Sequence, residues 1–282
     1  MTSSISHYAV IGNPVKHSRS PWIHQRFAQQ TGIALEYTRL EAPLDGFTQS
    51  VQNFIAQGGR GLNVTVPFKE QAYDLVGDRL SERALQAQAV NTLIVREDGI
   101  HGCNTDGVGL SSDIARAGFE LKNKRILIIG AGGAAKGIIG PLLQTGCSAI
   151  HIINRTAARA EALCTQFSAT AGAQQQLSAG GLPDAGAGWD IVINASASSL
   201  QGVPPELPEG CYAPGSLAYD LMYSAQATPF LDQAVKHGAA YSMDGLGMLV
   251  GQAAESFWLW HGVRPEVEPV LAELRQAIQL PA

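Results

Sequence analysis

The feature that most constrains this chain is the run Ile126-Leu-Ile-Ile129 followed at once by Gly130-Ala-Gly-Gly-Ala-Ala135. Four consecutive aliphatic residues bounded by glycine read as a strand buried on both faces, the kind found in parallel sheets covered by helices. The glycines permit a tight turn, and the apolar pattern beyond them predicts a helix reaching Gln144. A strand from Ala149 to Ile153 then completes a βαβ unit of about the ~30 residues that motif needs. In this context Gly-x-Gly-x-x-Ala has a mechanical meaning. Missing side chains let a pyrophosphate approach free N–H groups at the positive end of a helix. The candidate cofactor residues are Gly130, Ala131, Gly132, Gly133 and Ala134.

Chains that bind NAD usually place Asp or Glu about ~20 residues beyond the glycines, where it holds the ribose 2′-hydroxyl. Here the second strand ends in Asn154-Arg155-Thr156, and Arg159 follows one helical turn after Arg155. No carboxylate repels a 2′-phosphate, and two guanidinium groups near a helix N-terminus are better explained by a bound anion than by the dipole they oppose. NADP is therefore favoured over NAD.

The same βα rhythm runs through the rest of the chain. A strand at Tyr8–Ile11 leads through Gly12-Asn13-Pro14 to Ser20-Pro21, which reads as an N-cap followed by proline at the first helical position. A strand at Leu35–Leu40 precedes a helix with Phe47, Val51, Phe54 and Ile55 on one face. From Gly61 to Val66, Leu62, Val64 and Val66 alternate with Asn63 and Thr65, giving one apolar and one polar face. Runs 91–95 and 100–104 flank Glu97-Asp98-Gly99, a hairpin signal, and a helix is predicted from about Asp106. After Ile153 come a helix at Ala157–Phe167, strands at Asp190–Asn194 and Leu217–Asp220, a helix at Pro229–His237 and a short strand near Tyr241. Thr170–Gly188, rich in Ala, Gly and Gln, reads as a weak strand in a loop region. Two helices after Gly247 are expected to pack back on the first part of the chain.

Composition narrows the function classes. The 282 residues carry 31 Gly and 14 Pro, as many turns require, and a net charge of −5 with no basic run to neutralise a nucleic acid backbone. No apolar stretch approaches the ~20 residues that span a bilayer. Four scattered cysteines without Cys-x-x-Cys, and a start lacking the basic and apolar regions of an export signal, point to the cytoplasm. Seven histidines show no metal-ligand spacing, so no metal is expected.

Polar residues collect at the strand ends of the N-terminal third: Ser18, Ser20, Asn63, Thr65, Lys69, Asn91 and Asn104-Thr105-Asp106. Singly, Ser20 is explained as a cap, Asn91 as a ladder residue, Lys69 as a solvated helix charge and Asp106 as a helix cap. Together they resemble the shikimate dehydrogenase family, whose motifs stand here as Val10-Ile-Gly-Asn-Pro-Val-Lys-His-Ser-Arg-Ser-Pro21, Asn63-Val-Thr-Val-Pro-Phe-Lys69 and Asn104-Thr-Asp-Gly-Val-Gly109. The likeness extends over essentially the whole chain, through Ala89-Val-Asn-Thr92, Asp220-Leu-Met-Tyr223, Thr228-Pro-Phe-Leu231 and Asp244-Gly-Leu-Gly-Met-Leu-Val-Gly-Gln252. It departs at Ala197 and Ser199, where the family often has a hydroxyl and a glycine, and at Gln88, a usual glycine position.

The resemblance implies an α/β fold of two domains, a substrate-binding domain over 1–105 completed by 246–282 and a Rossmann-like NADP-binding domain over 106–245. It implies NADP-dependent, reversible reduction of 3-dehydroshikimate to shikimate in chorismate and aromatic amino-acid biosynthesis, by a monomer or homodimer. Ser18 and Ser20 would hold the substrate carboxylate, and Asn63, Thr65, Lys69, Asn91, Asp106, Tyr223 and Gln252 would surround the ring. Lys69 and Asp106 would be catalytic, since hydride delivery to a ketone leaves negative charge on an oxygen that must be stabilised and protonated. Leu221 and Gly245 would lie near the nicotinamide. Two competing readings are a quinate/shikimate dehydrogenase using NAD, which Asn154-Arg155-Thr156 opposes, and a non-catalytic NADP-binding regulator, which would have no need of the polar cluster.

Overall fold

The computed structural model describes residues 5–172, 174–196 and 202–279; the sequence departures at Ala197 and Ser199 lie outside them. The chain divides into two compact units, Met1–Gly109 with Val250–Leu274, and Leu110–Leu249 with Arg275–Ala282.

The first unit opens with β1 (Ser6–Gly12), α1 (Ser20–Thr31), β2 (Leu35–Glu41), α2 (Phe47–Ala56) and β3 (Gly59–Val64). Two short helices follow, α3 (Lys69–Val76) and α4 (Glu82–Ala87), then the hairpin β4 (Thr92–Arg96) and β5 (Gly99–Cys103). The five strands lie in the order β2-β1-β3-β4-β5. Pairings of β1 with β2 and β3 are parallel, and those of β3 with β4 and β4 with β5 antiparallel. The Asp-Gly signal is realised: Arg96 pairs with Gly99, whose φ of 129° suits only glycine.

Alternation along β3 separates its two jobs. Leu62 and Val64 pack into a core with Phe47, Val51 and Phe68, while Asn63 belongs to a buried polar network. The strand stops at Val64, two residues short of its predicted end, and Val66 is exposed rather than facing the core. Pro67 offers no N–H to prolong the ladder. At α1, Ser20 is the first helical residue rather than the N-cap; Arg19 takes the cap position with no side-chain bond, and Pro21 is second. The Ser20 hydroxyl is thereby left for other partners.

The second unit begins within α5 (Asp106–Arg116) and continues through β6 (Arg125–Ile129), α6 (Gly133–Gln144), β7 (Ala149–Ile153), α7 (Ala157–Phe167) and β8 (Gln176–Gly180). A 3-10 turn at Leu182–Asp184 leads to β9 (Trp189–Asn194), β10 (Tyr212–Asp220), α8 (Pro229–Lys236) and β11 (Tyr241–Asp244). All the pairings are parallel, in the order β11-β10-β9-β6-β7-β8. Read from β8 inward, the chain winds outward from β6 in both directions, the doubly wound order of dinucleotide-binding sheets. The aliphatic run divides between both faces: Ile126 and Ile128 pack with Ile138 and Leu142, Leu127 and Ile129 with Ile153, Trp189 and Phe230. α9 (Leu246–His261) passes from this unit back into the first at Val250, and α10 (Val267–Gln279) starts in the first unit and ends in the second.

Candidate active site

In the first unit Lys69 and Asp106 form an ion pair, with Lys69 Nζ 2.5 Å from Asp106 Oδ2. Lys69 is the first residue of α3 and Asp106 the first of α5. The lysine keeps 17% of its side-chain surface in solvent and the aspartate 8%, so the ammonium can reach both a ligand and water. Asp106 is fixed from behind. Asn91 Nδ2 donates to its Oδ1 at 2.8 Å, and the backbone N–H of Asp106 donates to Asn104 Oδ1 at 3.1 Å. The Val90 N–H donates to the Lys69 carbonyl at 2.9 Å, tying the start of α3 to the segment that carries Asn91. Asp106 is thus the first helical residue, its own N–H taken up by Asn104, and its carboxylate serves the ion pair and Asn91.

Asn91 has partners at both ends of its amide: its Oδ1 accepts from the Thr105 N–H at 2.9 Å and the Thr92 hydroxyl at 2.8 Å, and its Nδ2 also reaches Thr105 Oγ1. Thr92, Thr105 and Ser256 form a triangle of hydroxyls, with Thr92 and Ser256 2.9 Å apart, and Thr105 Oγ1 donates to Gln252 Oε1 at 3.4 Å. Asn63 Nδ2 donates to Ser256 Oγ at 2.9 Å while its Oδ1 accepts from the Tyr37 hydroxyl at 2.7 Å. Ser18 Oγ lies 3.2 Å from Ser20 Oγ, and Arg39 clamps the carbonyl of Ser18 with Nε and Nη2 at 3.0 and 2.7 Å. Asn63, Asn91, Lys69, Asp106 and Gln252 are therefore brought together through the three hydroxyls, and Ser20, with Ser18 beside it, lies near the Tyr37 phenol. Thr65 is half-buried beside them, its methyl against Gly12 and its N–H bonded to the Ile11 carbonyl.

Sequence reasoning missed Tyr37, Thr92 and Ser256 as members of this network. Ser256 had a signal, since it stands four residues after Gln252 and hence on the same helical face. Tyr37 is backed by His24, whose ring lies parallel to it with centroids 4.3 Å apart. His24 is fully buried with no hydrogen-bond partner on either nitrogen. Burial lowers its pKa to about 3, against an opposing pull from nearby Asn63.

In the second unit the glycine turn sits at the carboxyl end of β6. Gly130 has φ of 110°, and a Cβ there would meet the Ala195 backbone at 3.0 Å, so close packing requires this glycine. Gly132 and Gly133 differ: a Cβ on either would meet nothing within 4 Å. Protein packing does not explain their lack of side chains, but a group lying against the backbone does. Gly132 is the N-cap of α6 and offers no side-chain bond, which leaves first-turn N–H groups for an anion. At α7 the Thr156 N-cap likewise makes no side-chain bond, Arg155 and Arg159 are exposed, and neither forms an ion pair among the described residues. Asn154 Nδ2 donates to the Thr156 carbonyl at 3.0 Å, shaping that turn. These features fit a dinucleotide bearing an additional phosphate. Leu221 and Gly245 come together at the ends of β10 and β11: the Gly245 N–H donates to the Met222 carbonyl at 3.0 Å, and a Cβ on Gly245 would strike the Leu221 carbonyl. Tyr223 is half-buried just beyond.

Sheet order, glycine turn and lysine–carboxylate pair define a class: a dinucleotide-binding α/β protein with a second α/β unit that carries a nearly buried ion pair. Family models for the shikimate dehydrogenase substrate binding domain, for shikimate / quinate 5-dehydrogenase and for the shikimate 5'-dehydrogenase C-terminal domain match residues 10–93, 113–215 and 245–275. The chain belongs to the shikimate dehydrogenase family. It is 59% identical over 280 residues to the shikimate dehydrogenase (NADP(+)) of Bordetella petrii, covering 98% of this chain and 97% of that one. Among solved structures it is similar to an Ael1 enzyme from Pseudomonas putida, with TM-score 0.87, 42% identity and coverage of 98% and 99%. A shikimate 5-dehydrogenase from Thermus thermophilus in complex with NADP(H) and shikimate superposes with TM-score 0.84 at 30% identity, covering 97% and 100%. Among the described residues no helix is long and apolar enough to cross a membrane.

Proposed function

We propose that this chain is an NADP-dependent shikimate dehydrogenase, catalysing the reversible reduction of 3-dehydroshikimate to shikimate in aromatic amino-acid biosynthesis, in the cytoplasm and as a monomer or homodimer. The observation that carries the reading is the Lys69–Asp106 pair, a charged proton donor held at 2.5 Å by a carboxylate that is itself anchored by Asn91.

Bound NADPH supplies a hydride to the ring ketone. The chain's own residues handle the charge that results. Lys69 stabilises the developing alkoxide and gives it a proton; Asp106 keeps the ammonium in place, and its remaining lone pairs accept a ring hydroxyl. A surface 17% open lets Lys69 recover its proton from water. In the oxidative direction the same amine accepts the proton of the substrate hydroxyl. Ser18 and Ser20 take the carboxylate, and Asn63, Thr65, Asn91, Tyr223 and Gln252 discriminate the ring hydroxyls. Gly130 to Ala134, Asn154 to Thr156, Arg159, Leu221 and Gly245 hold the cofactor, with Arg155 and Arg159 on the 2′-phosphate. Initial rates with NADP+ and NAD+, on shikimate and on quinate, test the assignment. Fast oxidation of shikimate with NADP+ alone is expected, and preference for NAD+ or for quinate would overturn it.

A further inference from the structure

We propose that Tyr37 is a positioning residue of the substrate subsite, its hydroxyl donating to Asn63 so that the Asn63 amide faces one way only. The inference rests on the assignment of Asn63 to substrate. The hydroxyl donates to Asn63 Oδ1 at 2.7 Å, and both residues are buried. An asparagine amide has two orientations of nearly equal shape, and its partners decide between them. Here a phenol, which has one hydrogen to give, faces the amide oxygen and so turns Asn63 Nδ2 toward Ser256, Thr92 and the Asn91 carbonyl.

Two features keep Tyr37 in that task. Burial holds it protonated, its pKa well above the usual phenol value, so the donated hydrogen is always present. Its ring is stacked on His24 and borders Trp260, and neither His24 nitrogen makes a hydrogen bond that would compete for the hydroxyl. β2 carries Tyr37 and, two residues on, the Arg39 that grips the Ser18 carbonyl, so one strand face sets both the serine loop and Asn63.

Substituting Tyr37→Phe removes the hydroxyl and keeps the ring over His24; Tyr37→Leu removes both. In steady state Tyr37→Phe is expected to raise KM for shikimate about tenfold, the loss typical of one buried hydrogen bond, with KM for NADP+ changed less than twofold. In an Asn63→Ala background the same substitution should change KM for shikimate less than twofold, because the hydroxyl acts through Asn63. In the ligand-free protein, hydrogen exchange of the Asn63 side-chain amide, followed by NMR, should quicken at least tenfold in Tyr37→Phe. An unchanged KM and an unchanged exchange rate, or a full tenfold effect persisting without Asn63, would overturn the proposal. If the wild-type protein oxidised no shikimate, the functional assignment would fail, while the exchange measurement would still decide whether Tyr37 orients Asn63.

Discussion

Lys69 and Asp106 each open a helix, and their charged atoms meet at 2.5 Å. A carboxylate at a helix N-terminus is favoured by the dipole, whereas an ammonium there is opposed by it. Asp106 therefore holds Lys69 at a place the backbone alone would disfavour. Replacing Lys69 by Ala should lower kcat by about 10²–10⁴-fold, the range for losing a positioned acid, while NADPH titrated by fluorescence binds as before. Because Asp106 is left with Asn91 as partner in a nearly buried place, urea unfolding should also show a loss of about 1–3 kcal/mol, a discounted buried-pair figure. Turnover close to wild type would remove Lys69 from the chemistry.

The glycine turn allows a contrast within four residues. Gly130→Ala puts a Cβ at positive φ against the Ala195 backbone and should destabilise the folded protein by about 1–3 kcal/mol. Gly132→Ala meets no protein atom and has an extended backbone with φ of −96°, so the melting temperature of the ligand-free protein should stay within about 2 °C. Its KM for NADP+ should nevertheless rise at least tenfold, because the added methyl fills the space a pyrophosphate would use. A Gly132→Ala enzyme with normal NADP+ affinity would place the phosphates elsewhere.

Arg155 and Arg159 are exposed at the start of α7. Each charge-assisted bond to a phosphate is worth about 1.5–3 kcal/mol when buried, and exposure puts these at the lower end. Arg159→Ala should raise KM for NADP+ about tenfold and leave KM for NAD+ unchanged. Equal effects on both cofactors would show that the arginine supports the helix rather than the 2′-phosphate.

His24 links stability to acid. Its folded pKa of about 3 lies below the unfolded value near ~6.5, so between those limits the unfolded chain binds a proton that the folded chain refuses. Stability from this residue is complete above about pH 6.5 and falls by about 1.4 kcal/mol per unit as the pH drops toward 3. His24→Met, which leaves no ring nitrogen to protonate, should flatten that part of the pH profile in urea titrations between pH 6.5 and 4. An identical slope in the variant would mean that other groups cause the acid loss.

The second unit was largely legible in the chain because its central strands β6, β7 and β9 are mostly buried and α6 and α7 run to 12 and 11 residues. Ile126–Ile129 and the glycines after it announce their conformation without help from distant residues. The first unit yielded less. α3 and α4, with 8 and 6 residues, are too short for a periodic signal, and Val66 continued an alternation that Pro67 cut off. Ser20 followed by proline has the composition of a cap, but position 19 took that place and freed the hydroxyl. The roles of Tyr37 and Ser256 were hidden for a different reason. Each is ordinary in its own strand or helix and acquires meaning only from partners 26 and 193 residues away.

Gln252, Ser256 and Trp260 all come from α9, yet they finish a sheet made of the first hundred residues. Ser256 bridges Asn63 and Thr92, and the Trp260 indole N–H donates to the Leu93 carbonyl at 3.0 Å. During synthesis, roughly 150 residues separate the last strand of that sheet from the helix that seals it, a wait on the order of ten seconds. Throughout that interval the polar face of β3 and β4 lacks its lid while the whole dinucleotide-type sheet is being made. The proposed substrate side, first to be encoded, is among the last parts of the molecule to be completed.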